Sequence, residues 1–339
     1  MALFALAISR IPKTVAATSA RTYTEQVREI ARTVFEHGGR MYKIVTDSVA
    51  SLGAADRESY DIDVISLYVN RDGVEYKDAE MDLDDFYKDI YEMIDDIPTS
   101  SQPSRMDFEN YFEKCAKEGD DVLGVWISSL MSGTFDGALA AARAVQARHA
   151  SWRFKMVDAT SNSYDEGFCA IAASEARAEG KSLDEAAQVA AEAAYHTRYV
   201  FAPESLRFLK AGGRIGGAAA LLGGLIKLCP ILTVQDGEAD TFAKVRTAKK
   251  AQERMVEQLK HDIKQAGFKD MVVHYIGSRK PADEWAKQVI EPIVGRTVKV
   301  LPVSPVIGLH VGPAVGIAYR CVERIAETKL TKLTPTIMP

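Results

Sequence analysis

The sequence predicts an α/β fold. It reads as an N-terminal Rossmann-like domain with a parallel sheet, followed by a C-terminal α+β domain with a mixed or antiparallel sheet. Three observations carry this. Strand-like and helix-like segments alternate regularly from 43 to 196, the order of a parallel sheet with helices on both faces. Past 197 the rhythm becomes less regular, and Asp236-Gly237 between two strand-like runs signals a hairpin, which belongs to antiparallel pairing. The length, 339 residues, suits two domains at about 150 residues each. The expected division is 41–197 and 198–331, with 1–40 as an extension outside both.

That extension has its own composition. Residues 1–40 hold six Lys/Arg against three acids, none of the acids before Glu25. An acid-poor, Arg/Ser-rich start fits an organellar transit peptide better than a secretory signal, because the basic residues follow the apolar stretch. A second reading starts translation at Met41, since Gly38-Gly39 would be encoded by purine-rich codons where a bacterial ribosome-binding site would lie. A loose N-terminal helix is the third.

From Met41 the elements follow in order. Lys43-Ile44-Val45-Thr46 is an apolar run ending in Asp47-Ser48, a buried strand opening into a polar loop. Ile62 to Val69 reads as a second strand, with Arg71-Asp72-Gly73 as a turn. Leu83, Phe86, Tyr87, Ile90 and Ile94 recur at helical spacing and predict one amphipathic helix over 83–95. Prolines 98 and 103 bracket a hydroxyl-rich loop, and Ser104 with Asp107 forms a capping box for a helix through Phe108, Tyr111, Phe112 and Cys115. Val122 to Ile127 is a strand, 128–134 a loop, 135–147 an Ala-rich helix and 154–157 a strand. Helices follow at 163–179 and at 183–196, the second opened by Ser182 and Glu185. The remaining strands fall at 198–202, 231–235, 240–246, 271–276, 298–303 and 315–320.

Composition narrows the function. Hydrophobic residues are 47% and charged residues 26%, which is globular, and the net charge of −5 argues against a nucleic-acid binder. No apolar run has the ~18 residues of a membrane span. Cys115, Cys169, Cys229 and Cys321 are widely spaced with no CxxC, and read as reduced thiols of a cytoplasmic protein. The histidines show no ligand spacing, so neither a metal nor another cofactor is expected.

Two hydroxyl-rich loops, 99–104 and 128–134, carry the strongest chemical signal. Ser132-Gly133-Thr134 stands between a strand's end and a helix start, where unpaired N–H groups and the helix dipole favour a carboxylate or phosphate. The competing reading is that Ser132 merely caps the helix. Lys210 to Gly217 is a glycine-rich stretch around Arg214 that matches neither nucleotide-binding glycine pattern. Arg214 is either part of a loop without function or a cation offered to an anion or partner. His310, in Val306-Ile307-Gly308-Leu309-His310-Val311-Gly312-Pro313, sits among strand-like apolar residues and glycines, either as a core histidine or beside a ligand. A serine hydrolase using Ser132 and His310 lacks any G-x-S-x-G elbow. A small-molecule kinase using the glycine-rich loop and a purely regulatory protein also compete as readings.

Taken together, Ile44-Val45-Thr46-Asp47-Ser48, Ser100-Ser101-Gln102-Pro103-Ser104, Ile127 through Thr134, Gly212-Gly213-Arg214-Ile215, Pro230-Ile231-Leu232 with Asp236-Gly237, and Gly308 through Pro313 resemble the DegV family from about Met41 to Leu330. These are bacterial fatty-acid-binding proteins, the lipid-carrying subunits of fatty acid kinase. The resemblance implies a carrier, not an enzyme. A long-chain fatty acid of palmitate or oleate type would lie in a tunnel between the domains. Ser132 and Ser100, with Thr99, Ser129, Gly133, Thr134 and His310 around them, would hold its carboxylate. Arg214 would face the ATP-binding kinase subunit that converts the carboxylate to an acyl phosphate for phospholipid synthesis. Two positions depart from the family's usual pattern: Ser100 where Thr is usual, which keeps the hydroxyl, and Ala314 where Gly is usual.

Overall fold

The computed structural model describes residues 42–222, 228–325 and 336–338. The expectations for residues 1–40 and for a start at Met41, and the end of the glycine-rich tract at 223–224, lie outside the described residues.

The first sheet grows from β1 (Tyr42–Asp47), whose apolar residues are buried on both faces as a central parallel strand requires. Helix α1 (Ala54–Tyr60) leads to β2 (Ile62–Ile65), parallel to β1. The chain then leaves this sheet for β3 (Tyr68–Arg71) and β4 (Val74–Lys77), which with β5 (Thr99–Ser101) make a small antiparallel sheet of order β4-β3-β5. The single strand expected over 62–69 is therefore two. The break comes where the Leu67 N–H leaves the ladder and donates to the Ser48 hydroxyl at 2.9 Å. The 99–104 loop is corrected in the same way, since its first three residues pair with β3.

Between β4 and β5, helix α2 (Leu83–Tyr87) is only five residues long and gives way to a 3₁₀ turn at Glu92–Asp95. The periodicity expected to make one helix over 83–95 instead sends Phe86, Tyr87, Ile90 and Met93 into the core from two short turns. Helix α3 (Arg105–Glu118) starts at the expected Ser104/Asp107 capping box. Strand β6 (Asp121–Trp126), helix α4 (Thr134–Arg148), strand β7 (Phe154–Asp158) and helices α5 (Ser163–Ala178) and α6 (Leu183–Ala193) complete the first unit, the last opened by Ser182 and Glu185. Alternate strand residues face opposite ways, as the period of two demands. Val45, Val122, Trp126 and Met156 pack with Phe108, Phe112 and Ala138, whereas Ile44, Leu123, Val125 and Val157 pack with Phe168 and Ala172.

The second sheet contains β8 (Thr197–Pro203), followed by α7 (Arg207–Ala211), then β9 (Cys229–Gln235) and β10 (Glu238–Val245). The two-residue connection Asp236-Gly237 has positive φ at both positions, 49° and 83°, the tight hairpin the sequence predicts. Helix α8 (Ala248–Ala266), strand β11 (Phe268–Ile276), helices α9 (Arg279–Trp285) and α10 (Glu291–Val294), strand β12 (Lys299–Pro302), helix α11 (Pro305–Val311) and strand β13 (Ala314–Cys321) follow. The order is β10-β9-β8-β13-β11-β12, antiparallel except for β11 with β12. Strand β14 (Ile337–Met338) returns from the C-terminal side and pairs antiparallel with β7, giving the first sheet the order β14-β7-β6-β1-β2.

Tyr199, Phe201, Leu232 and Val234 on one face of the second sheet join the same apolar cluster as Ile44, Phe168 and Ile171 of the first unit. Val200, Ile231, Val273 and Tyr319 on the other face pack with Met255 and Leu259 of α8. Chain order in the first sheet reverses between β1 and β6, so their C-terminal ends open a crevice toward the second sheet.

Candidate functional site

A cavity of about 330 Å³ fills that crevice, at the low end of the roughly 300–1,000 Å³ usual for small-molecule sites. Its apolar wall includes Leu67, Ile127, Phe201, Leu209, Val234 and Val306; its polar lining includes Ser100, Gln102, Ser132, Gly133, Arg214 and His310.

Each polar residue is positioned by its element. Ser100 is the middle residue of β5, paired with Val69 of β3. His310 lies in α11, not among strand-like residues as expected. Pro305 occupies the first turn, where its fixed φ suits a helix start, and Ser304 caps it. That short helix is held from three sides. Asp78 Oδ1 accepts the Val306 N–H at 3.0 Å, Ser51 Oγ accepts the Ser304 N–H, and the Tyr87 hydroxyl lies 3.0 Å from both the Val303 and Ser304 carbonyls. Gly308 faces the Tyr87 ring, and a Cβ there would overlap its hydroxyl. So placed, His310 Nε2 meets Ser100 Oγ at 2.9 Å. Nδ1 is buried without a partner among the described residues, and Gly212 lies so close that a Cβ would collide with it. Burial, reinforced by the nearby Arg214 cation, pushes the imidazole down to about 4, so it is neutral at pH 7.

Ser132 stands just before Gly133, the N-cap of α4. Its hydroxyl lies 2.8 Å from that of Thr134 and accepts the Thr134 N–H at 3.3 Å. The N-cap is therefore Gly133 and not Ser132; Ser132, one residue earlier, touches the first turn through Thr134 and also lines the cavity. Gln102 covers Gly133 closely enough that a Cβ there would strike its Oε1. Behind this wall, Asp47 accepts the N–H groups of Val49 and Ile127 at 3.0 Å each, tying the ends of β1 and β6 together. Burial raises its carboxyl to about 7.

Several expectations change. Ser129 does not line the cavity; its backbone N–H donates to Asp158 at 3.3 Å. Thr99 lines a separate acidic groove with Asp72, Asp89 and Asp96, because neighbouring strand residues face opposite sides. Thr134 is buried and reaches the site only through Ser132. Arg214 is not confined to an outlying loop. Exposed, it still lines the cavity, with Nε on the Met131 carbonyl at 3.2 Å and Nη1 on that of Gly212 at 2.7 Å. Ser132 and His310 do not pair with each other as a nucleophile and base would; His310 pairs with Ser100. Polar lining residues absent from the set the sequence suggests include Ser101, Gln102, Asn162 and Tyr199. Gln102 belongs to the hydroxyl-rich 99–104 loop, which is its signal. The signal for Asn162 is its place just past the C-terminal end of β7, the same end of a parallel strand that carries Ser48 after β1 and Ser132 after β6.

Among the described residues no group of three or more His, Cys, Asp or Glu is placed to hold a metal ion, and no helix is long and apolar enough to cross a membrane. The arrangement offers hydroxyls, a neutral imidazole and a guanidinium at an otherwise largely apolar cavity, which suits an amphiphile with an anionic head.

The model of the DegV family, described as uncharacterised protein, matches residues 41–321. A DegV domain-containing protein of Clostridium acetobutylicum is 39% identical over 283 residues, covering 82% of this chain and 96% of the relative. A DegV family protein of Thermus thermophilus, solved as a fatty-acid-binding protein, aligns with a TM-score of 0.71 at 31% identity, covering 83% of this chain and 99% of that one. A stearic-acid-binding protein of Eubacterium ventriosum aligns with a TM-score of 0.75 at 25% identity, covering 83% and 99%.

Proposed function

The chain belongs to the DegV family, and from that membership and the geometry of the cavity we propose that it binds one long-chain fatty acid and presents the carboxylate to a separate ATP-dependent kinase subunit. The division near residue 197 then separates the two halves that enclose the lipid. The observation that carries this reading is the polarity of the crevice, an apolar wall with Ser100, Ser132, His310 and Arg214 gathered in its lining. Burying an acyl chain is worth about 0.8 kcal/mol per CH₂, so the wall alone supplies affinity. The carboxylate, drawn partly out of water, needs donors. The Ser132 and Ser100 hydroxyls supply them, while His310 orients Ser100 and Arg214 adds the balancing charge. Arg214 is exposed as well as lining, so it can also meet a docked kinase at the place where phosphate is transferred.

A hydrolase reading has one contact in its favour, the Ser100–His310 pair. Among the described residues its histidine has no acid at Nδ1 to hold the required tautomer and stabilise an imidazolium. The carrier reading is tested by supplying ATP and fatty acid with and without the fatty acid kinase ATP-binding subunit. The chain alone forms no acyl phosphate, and the pair does. Arg214→Ala lowers acyl phosphate formation more than it lowers lipid affinity, and added salt weakens coupling in the same direction, exposed charges being screened over about 8–10 Å. Turnover of ATP by the isolated chain would overturn the proposal.

A further inference from the structure

One cavity-lining side chain is only half used by the fold. Asn162 occupies the N-cap position of α5, where an asparagine oxygen ordinarily accepts an N–H of the first helical turn. Here the side chain makes no capping bond. It lines the cavity instead, 9% exposed, with Nδ2 donating to the Met131 sulfur at 3.0 Å. That contact fixes the orientation of the amide, because a thioether can accept a hydrogen bond but has none to donate. Oδ1 is then the free end. It is buried with no donor among the described residues, and a buried acceptor left unpaired is a standing penalty that the fold does nothing to relieve.

A ligand can relieve it only by bringing a donor. An ionised carboxylate has none, and neither has a polymethylene chain. We infer that Asn162 selects acyl chains bearing a hydroxyl group, whose O–H donates to Oδ1. Leu67, Ile127, Phe201 and Val234 elsewhere in the same cavity lining are apolar, so the amide oxygen beside Met131 gives a hydroxyl an acceptor that they do not. The inference rests on the fatty-acid reading and names the substrate class within it.

The test is a displacement titration of the full, delipidated chain with stearate and with 3-, 10- and 12-hydroxystearate. Wild type binds at least one hydroxystearate about three- to tenfold more tightly than stearate. Asn162→Leu loses that preference and binds no hydroxystearate more tightly than stearate. Wild-type preference for stearate over every hydroxystearate, as an all-apolar wall requires, would overturn the inference while leaving the fatty-acid reading intact. Retained preference in Asn162→Leu would overturn it too. Should that variant fail to fold, the wild-type ranking decides by itself. If wild type binds neither kind of acid, the fatty-acid reading fails and the inference with it.

Discussion

Ser100 and His310 stand 210 residues apart and meet at 2.9 Å, with Ser132 from a third segment lining the same cavity. Each makes a separable prediction. Ser132→Ala removes a hydrogen bond to a charged group, worth about 1.5–3 kcal/mol, so fatty-acid affinity falls roughly ten- to a hundredfold by titration. The ligand-free protein loses only the two Thr134 contacts, to its hydroxyl at 2.8 Å and its N–H at 3.3 Å, a cost of about 0.5–1.5 kcal/mol that thermal melts read. His310 carries a pH signature. Its folded value near 4 lies below the ordinary 6.5, so the stability linked to its neutral form is fully present above pH 6.5 and is lost as pH falls from there through 4. Relative to His310→Gln, wild type should lose about 2 kcal/mol between pH 7.5 and pH 5, read from denaturant melts at the two pH values. A constant difference between the two proteins would show that the histidine is not held neutral by burial. The hydroxyls are legible in the sequence because they cluster in loops between periodic segments. Asn162 is legible only by its place past the end of β7, and otherwise looks like an ordinary helix cap until the amide is seen to face the cavity.

At the scale of elements, α11 decides whether the polar residues converge. Its seven residues are anchored by Asp78, Ser51 and Tyr87, and Gly308 lets the Tyr87 ring pass against the helix. Gly308→Ala forces that ring and helix apart, an overpacking that costs about 1–3 kcal/mol. It also weakens fatty-acid binding by moving His310 away from Ser100. A variant that melts like wild type with unchanged affinity would remove α11 from the account. The strands β1, β6, β7 and β8 and the two capping-box helices are legible, since buried apolar runs and Ser-x-x-acid signals are local. The short elements are not. The break between β2 and β3 depends on Ser48 accepting a backbone N–H 19 residues away, and the truncation of α2 depends on where Tyr87, Ile90 and Met93 find their core. The helical fold of 305–311 is hidden because its apolar residues and Gly308 read equally well as a strand; Ser304 and Pro305 at its start are its local helix signals.

At the scale of the molecule, the parallel order β2-β1-β6-β7 places the crevice where the chain reverses direction, and the antiparallel sheet closes it with Tyr199, Phe201 and Val234. The α/β part and the α+β part carry the two main sheets, and β14 crosses back to the first sheet from beyond residue 331. On the proposed reading the cavity between these sheets holds a fatty acid. The most direct measurement is mass spectrometry of the ligand released from the purified full chain, with its molar ratio to protein. The account predicts close to one long-chain fatty acid per chain. A preparation that carries no lipid, and that takes up none when stearate is added, would contradict it.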